Sequence, residues 1–220
     1  MSSRVCRKKY PWNYRFRWGG MYITTAQNAH PQKSESPVSQ GPGEIRGFLD
    51  RANYMLDIAS KSLADITLED TDKPGLRRFI KRVPLGVILV IAPWKLVPSS
   101  FSPLITHSSR DSYPYLTAIN SVLPAIIAGN AILLKPSPQT PLTAERFAKA
   151  LIQAGVPEDV VQVVHMSPEL TNHAISNPSI NFVSFTGSVA GGRSVAKAAA
   201  DAEGFTGIAL EVCANKLRDF

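Results

Sequence analysis

Four short apolar runs, each set against a stretch of helical character, leave this chain few ways to fold. They are Gly86–Ala92, Ala131–Leu134, Val160–Val164 and Asn181–Thr186. Gly86–Ala92 is apolar throughout and rich in β-branched residues, as a strand covered on both faces would be. Tyr115–Ile127 reads as an apolar helix closed by Gly129-Asn130, Leu142–Ala154 as an amphipathic helix stopped by Gly155, and Glu169–Ser176 as a short helix. Ile208-Ala209-Leu210 offers a fifth strand. Strands alternating with helices at these lengths predict an α/β fold, a doubly wound and mostly parallel sheet with helices on both faces. Ligands of such sheets sit at the carboxyl ends of the strands. Pro93-Trp94, Lys135, Gly187-Ser188 and Glu211 all fall at such ends.

The stretch Phe182–Arg193 carries the sharpest local signal. An aromatic and β-branched run breaks at Gly187 and enters the alanine-rich, helix-compatible Ser194–Ala200. A strand feeding a helix through a glycine turn leaves the first helical N–H groups unpaired, at the positive end of the helix dipole. That end suits a pyrophosphate. In this reading Gly187 makes the tight turn, Ser188 caps the helix or donates to a phosphate oxygen, and Gly192 lets helix and sheet approach. An ordinary strand–helix turn would use the same residues.

Upstream, the Gly43–Asp65 region carries a helical stripe through Ile45, Phe48, Leu49, Ala52, Met55 and Leu56. Thr71–Gly75 reads as a turn, and Arg77, Arg78, Lys81 and Arg82 as a solvated basic loop. Residues 1–36 differ from the rest and are expected to be a basic, polar, disordered leader. The net charge of +7 belongs there: six of the 24 Lys and Arg residues lie in the first 20 positions, which hold no acid, leaving 18 bases against 17 acids. A near-neutral remainder argues against a nucleic-acid partner. With two cysteines near opposite ends, Cys6 and Cys213, neither a disulfide framework nor a metal cluster is expected. No apolar run approaches the roughly 20 residues that span a bilayer, so no membrane partner is expected. The expected location is cytoplasmic, with mitochondrial import through the Arg-rich N-terminus as the alternative.

Several spaced segments together resemble the aldehyde dehydrogenase superfamily, from about Val38 to Glu211. They are Pro84-Leu85-Gly86-Val87 through Ala92-Pro93-Trp94, Tyr113–Thr117, Ala128-Gly129-Asn130 through Lys135-Pro136-Ser137, Phe185-Thr186-Gly187-Ser188 and Leu210-Glu211. The resemblance implies a Rossmann-like sheet, incomplete here, binding NAD or NADP, and an oxidoreductase that converts a small-molecule aldehyde to a carboxylic acid. It implies that Lys135 contacts the adenosine ribose, that Gly187 and Ser188 contact the pyrophosphate, and that Trp94 walls the cofactor. Ala92, Pro93, Ser137 and Gly192 complete the expected cofactor set. It also implies that Glu211 is the general base that activates water. Without the resemblance, Lys135 would read as a surface charge and Glu211 as an ion-paired carboxylate.

The departures from the family pattern carry expectations of their own. Pro138 stands where many members have a ribose-binding glutamate, which leaves the choice between NAD and NADP open. Lys95 follows Trp94 where the family has an asparagine, and Tyr113-Pro114 resumes the pattern only after Lys95–Ser112, expected to be an irregular insertion from a retained intron. After Glu211 the chain diverges, so 37–211 is expected to be the cofactor-binding domain, 212–220 a divergent tail and Cys213 an incidental thiol. The catalytic domain and its oligomerisation elements are expected to be absent, as in a truncated gene-model fragment of fungal type. The alternative function is therefore a catalytically inactive dinucleotide-binding fragment.

Overall fold

The computed structural model describes residues 41–68, 75–92, 114–138 and 140–213. The leader 1–36, Pro93, Trp94, the insertion 95–112 and residues beyond Cys213 lie outside them. Helix α1 (Gly41–Ser62) is followed by two short antiparallel strands, β1 (Ile66–Leu68) and β2 (Arg78–Ile80). Alternating elements then follow: β3 (Val87–Ala92), α2 (Pro114–Ile127), β4 (Ala131–Pro136), α3 (Pro141–Gln153) and β5 (Val161–Val163). The last four are α4 (Pro168–Ile175), β6 (Ile180–Ser188), α5 (Val189–Ala200) and β7 (Gly207–Cys213).

The five later strands form one parallel sheet in the order β5-β4-β3-β6-β7. From β3 the chain builds outward through β4 to β5, then crosses back to lay β6 on the opposite side of β3. The order reverses between β3 and β6, where a crevice opens at the carboxyl ends in sheets of this kind. Successive strand residues face opposite ways. Ile88, Val90, Ile132 and Leu134 pack with Phe48 of α1, Leu123 of α2 and Phe147 of α3. On the other face Leu89, Ile91, Val183 and Phe185 pack with Ile175 of α4 and Val195 of α5. Phe48 and Phe147 meet edge to face, ring centroids 5.9 Å apart. Both are fully buried, and each such side chain contributes about 1.5–3 kcal/mol relative to exposure.

Asn130 sets the start of β4. Gly129 takes φ 81° and so ends α2 with backbone bonds from Gly129 and Asn130 back to Ile126 and Ala125. The Asn130 side chain, 3% exposed, accepts from the amides of Leu85 (2.7 Å) and Gly86 (3.0 Å) and donates to the Ala125 carbonyl (3.0 Å). One amide thereby ties the entrance of β3 to the end of α2.

The sequence expectations meet four differences. The β1–β2 pair was not expected, and Arg78, assigned to a basic loop, begins β2. Helix α5 begins at Val189, five residues before the expected Ser194. Strand β6 runs on through Gly187 to Ser188, and Gly187 is not among the glycines with positive φ. The expected tight turn at Gly187 is therefore corrected: it is a buried strand residue, and the chain passes from strand to helix at Ser188. Finally, β7 continues through Val212 and Cys213, past the expected boundary at residue 211. Among the described residues no helix is long and apolar enough to cross a membrane.

Candidate functional site

The carboxyl ends of β3, β4, β6 and β7 bring Ala92, Lys135, Ser188 and Glu211 to one edge of the sheet. Ala92, buried, ends β3 beside Pro136 of β4. Lys135 pairs with Ile91 in register and, by strand alternation, lies on the face of the sheet that carries α4 and α5. It is 9% exposed, and its ammonium donates to the carbonyl of Pro136 at 3.3 Å. Burial lowers its pKa from the ordinary lysine value. An ammonium has three donors. One long bond to a neutral carbonyl leaves donor capacity for the hydroxyls or phosphate of a ligand. Ser137 is buried directly after it, and Pro138 is exposed.

Ser188 is the cap of α5. Its backbone is extended (φ −76°, ψ 154°) and its hydroxyl accepts from the amide of Gly191 at 3.1 Å. A first helical turn has no partners for its N–H groups within the helix. With Gly191 satisfied by the cap, the amides of Val189 and Ala190 belong to the first-turn N–H groups that no helical carbonyl pairs, at the end where the helix dipole favours an anion. Gly192 holds α5 against the sheet: a Cβ there would lie 2.8 Å from Cγ1 of Val212 on β7. Gly191 does the same beside β6, where a Cβ would meet Phe185 Cζ at 2.7 Å. The first of these approaches was legible in the sequence; the second was not assigned.

Glu211 lies on the edge strand β7, exposed, in register with Thr186 of β6. The Thr186 hydroxyl donates to Glu211 Oε2 at 3.4 Å. Alternation sets Thr186 and Glu211 on the face that carries α2, the same face on which Ser184 meets Ser121 of α2 at 2.8 Å. Lys135 and Glu211 therefore share an edge of the sheet but not a face. Anything that touches both crosses over the strand ends, past the switch between β3 and β6. Cys213 ends β7 opposite Ser188. Pro93 and Trp94 fall outside the described residues. No group of three metal-ligating side chains occurs among the described residues.

The arrangement fits a dinucleotide. The open amides of α5 suit its pyrophosphate, the underused Lys135 ammonium suits a sugar or phosphate oxygen, and glycines at 191 and 192 leave helix and strands in close contact beside them.

The family model for the aldehyde dehydrogenase family matches residues 112–217. The chain is 31% identical over 159 residues to a probable betaine aldehyde dehydrogenase of Schizosaccharomyces pombe, covering 72% of this chain and 28% of that protein. An NAD-dependent aldehyde dehydrogenase from Sinorhizobium meliloti superposes with a TM-score of 0.75 at 24% identity, over 96% of this chain and 38% of that one. A succinic semialdehyde dehydrogenase from Streptococcus pyogenes, in complex with NADP+, superposes with a TM-score of 0.70 at 21% identity, over 96% and 38%. At these identities the two structures establish the fold. The chain spans less than a third of the length of the curated relative.

Proposed function

We propose that this chain, which belongs to the aldehyde dehydrogenase family, is the cofactor-binding part of an NAD- or NADP-dependent oxidoreductase that converts an aldehyde to a carboxylic acid. The observation that carries the reading is that a buried, underused Lys135 and the first turn of α5 lie at the same edge of the sheet. In this reading residues 37–211 form the cofactor-binding domain. Lys135 donates to the adenosine ribose, with Ser137 beside it. Ser188 and Gly187 line the pyrophosphate, and the first-turn amides of Val189 and Ala190 bind it. Ala92, Pro93 and Trp94 border the other half of the ligand, and Gly192 keeps α5 close enough to serve. When bound, the dinucleotide supplies the acceptor for the hydride that leaves the aldehyde carbon. Glu211 takes a proton from the water that releases the acid.

Solved relatives that use NAD and NADP support both cofactors as candidates. Pro138, which has no carboxylate to repel a 2′-phosphate, is compatible with either. The reading includes a cytoplasmic location, which the two cysteines suit.

Calorimetric titration with NAD and with NADP tests the site. Lys135→Ala is expected to weaken binding by about 1–3 kcal/mol, the range for a charged hydrogen bond left unmade. Equal affinity in the parent and the variant would remove Lys135 from the site.

A further inference from the structure

We propose that Thr186 is a positioning residue that holds the Glu211 carboxylate for proton abstraction from water. The inference rests on the reading of Glu211 as the general base, and goes beyond it by naming what aims that base.

Glu211 is poorly held by its own strand. Among the described residues it is exposed and lies on β7, which pairs with β6 alone. A glutamate there has three rotatable side-chain bonds, and freezing them opposes rotamer entropy. Thr186 sits across the β6–β7 ladder, about 4.8 Å away as strand spacing dictates. Its hydroxyl donates to Oε2 at 3.4 Å, and among the described residues it is the carboxylate's hydrogen-bond partner.

Thr186 is in turn anchored where Glu211 is not. It is β-branched, so its χ1 is stiff. Phe185, one residue earlier, is 6% exposed and packs into the core beneath α5, while Ser184, two residues earlier, is tied to Ser121 of α2 at 2.8 Å. Strand β6 is thus pinned on both faces just before Thr186. A base carried on an edge strand is referenced to the rigid interior through one hydroxyl.

The division of labour on the carboxylate follows. With Oε2 occupied by Thr186, Oε1 is left for water. An O–H bond of the water breaks, its proton forms a new O–H bond to Oε1, and the hydroxide oxygen keeps the electron pair for attack on the acyl carbon. Thr186 neither gains nor loses a proton in this step.

The test uses the complete protein that carries this chain. Thr186→Val keeps shape and β-branching and removes the donor; Thr186→Ser restores the donor. In Thr186→Val, kcat for aldehyde oxidation is expected to fall roughly tenfold with KM within about twofold, since only an interaction used in turnover is lost. Thr186→Ser is expected to recover most of it. Crystal structures of the two variants should show the Glu211 carboxylate turned away from position 186 in the first and facing it in the second. Thr186→Ala makes the same comparison should the valine variant not fold. A valine variant with parental kcat, or a serine variant no better than valine, overturns the proposal. Glu211→Gln separates the two readings. If it leaves kcat unchanged, Glu211 is not the base and both readings fall. If it lowers kcat while Thr186→Val does not, the positioning role alone is wrong.

Discussion

Glu44→Gln is expected to stabilise the protein above neutral pH and to change little below pH 5. Glu44 lies in the first turn of α1, 8% exposed, and its Oε1 accepts from the backbone amide of Tyr115 at 2.8 Å, at the start of α2. Burial pushes its pKa from 4.5 up to about 7, against the lowering effect of the amides of Tyr115 and Leu116. The folded state therefore holds this proton more tightly than the unfolded chain. Stability from this group is full below about pH 4.5, declines as pH rises toward 7, and stays low above that. A difference of about 2.5 pK units corresponds to about 3 kcal/mol between the two protonation states. Glutamine keeps the oxygen that accepts from Tyr115 and cannot ionise. Its buried NH2 group offsets part of the gain, so the net stabilisation at pH 8 is about 1–3 kcal/mol.

The assay is urea denaturation of parent and variant at pH 5, 6, 7 and 8. Other titrating groups are common to both proteins, so the difference between the two curves isolates Glu44. The expected difference grows between pH 5 and 7 and then levels. Curves that run parallel across the range, or a glutamine variant weaker than the parent at pH 8, would refute the burial argument. Tyr115 provides an internal check. Its hydroxyl is pushed up to about 12, by burial first and by the Glu44 charge second, so removing that charge should lower its titration midpoint.

Two further substitutions test the scaffold. Asn130→Ala strands the amides of Leu85 and Gly86 and removes one of the two bonds to the Ala125 carbonyl, which keeps the backbone amide of residue 130; it should lower unfolding stability by on the order of 3 kcal/mol in the same assay. Gly192→Ala forces a Cβ to within 2.8 Å of Val212; a loss of about 1–3 kcal/mol is expected, and amide exchange in β7 should accelerate as the strand is pushed from α5.

Local pattern made the parallel sheet legible, because its strands are buried and its helices amphipathic. Gly86–Ala92 and Tyr115–Ile127 each differ from the observed element by one residue at most. What was missed lacks a local signature. Strands β1 and β2 are three residues each and exposed at every position, so no alternation marks them. The first turn of α5 contains Gly191 and Gly192, whose helix-breaking character delayed the expected helix start; the close approach at Gly192 was expected, whereas that of Gly191 to Phe185 was not. Glu44 looks like any acid in a helix's first turn. Its partner Tyr115 is 71 residues away, and only the packing of α1 on α2 reveals that the carboxylate is buried.

The residues proposed for the site were each visible, but their division between two faces was not. Lys135 and Glu211 look equivalent in sequence, one polar residue at the end of each apolar run. Register and alternation separate them. Lys135 falls on the α4–α5 face, and Glu211 with Thr186 on the α2 face. Three strand spacings, about 14 Å, lie between β4 and β7 along the edge. A single nucleotide held at Lys135 and the start of α5 would stop short of Glu211. A dinucleotide anchored at its pyrophosphate midway, on the amides after Ser188, has one half for each face. In the proposed reading it passes at the strand reversal between β3 and β6. In the same reading the fold separates recognition from chemistry: Lys135 and the first turn of α5 lie on one face, and the Glu211 carboxylate with the Thr186 hydroxyl on the other.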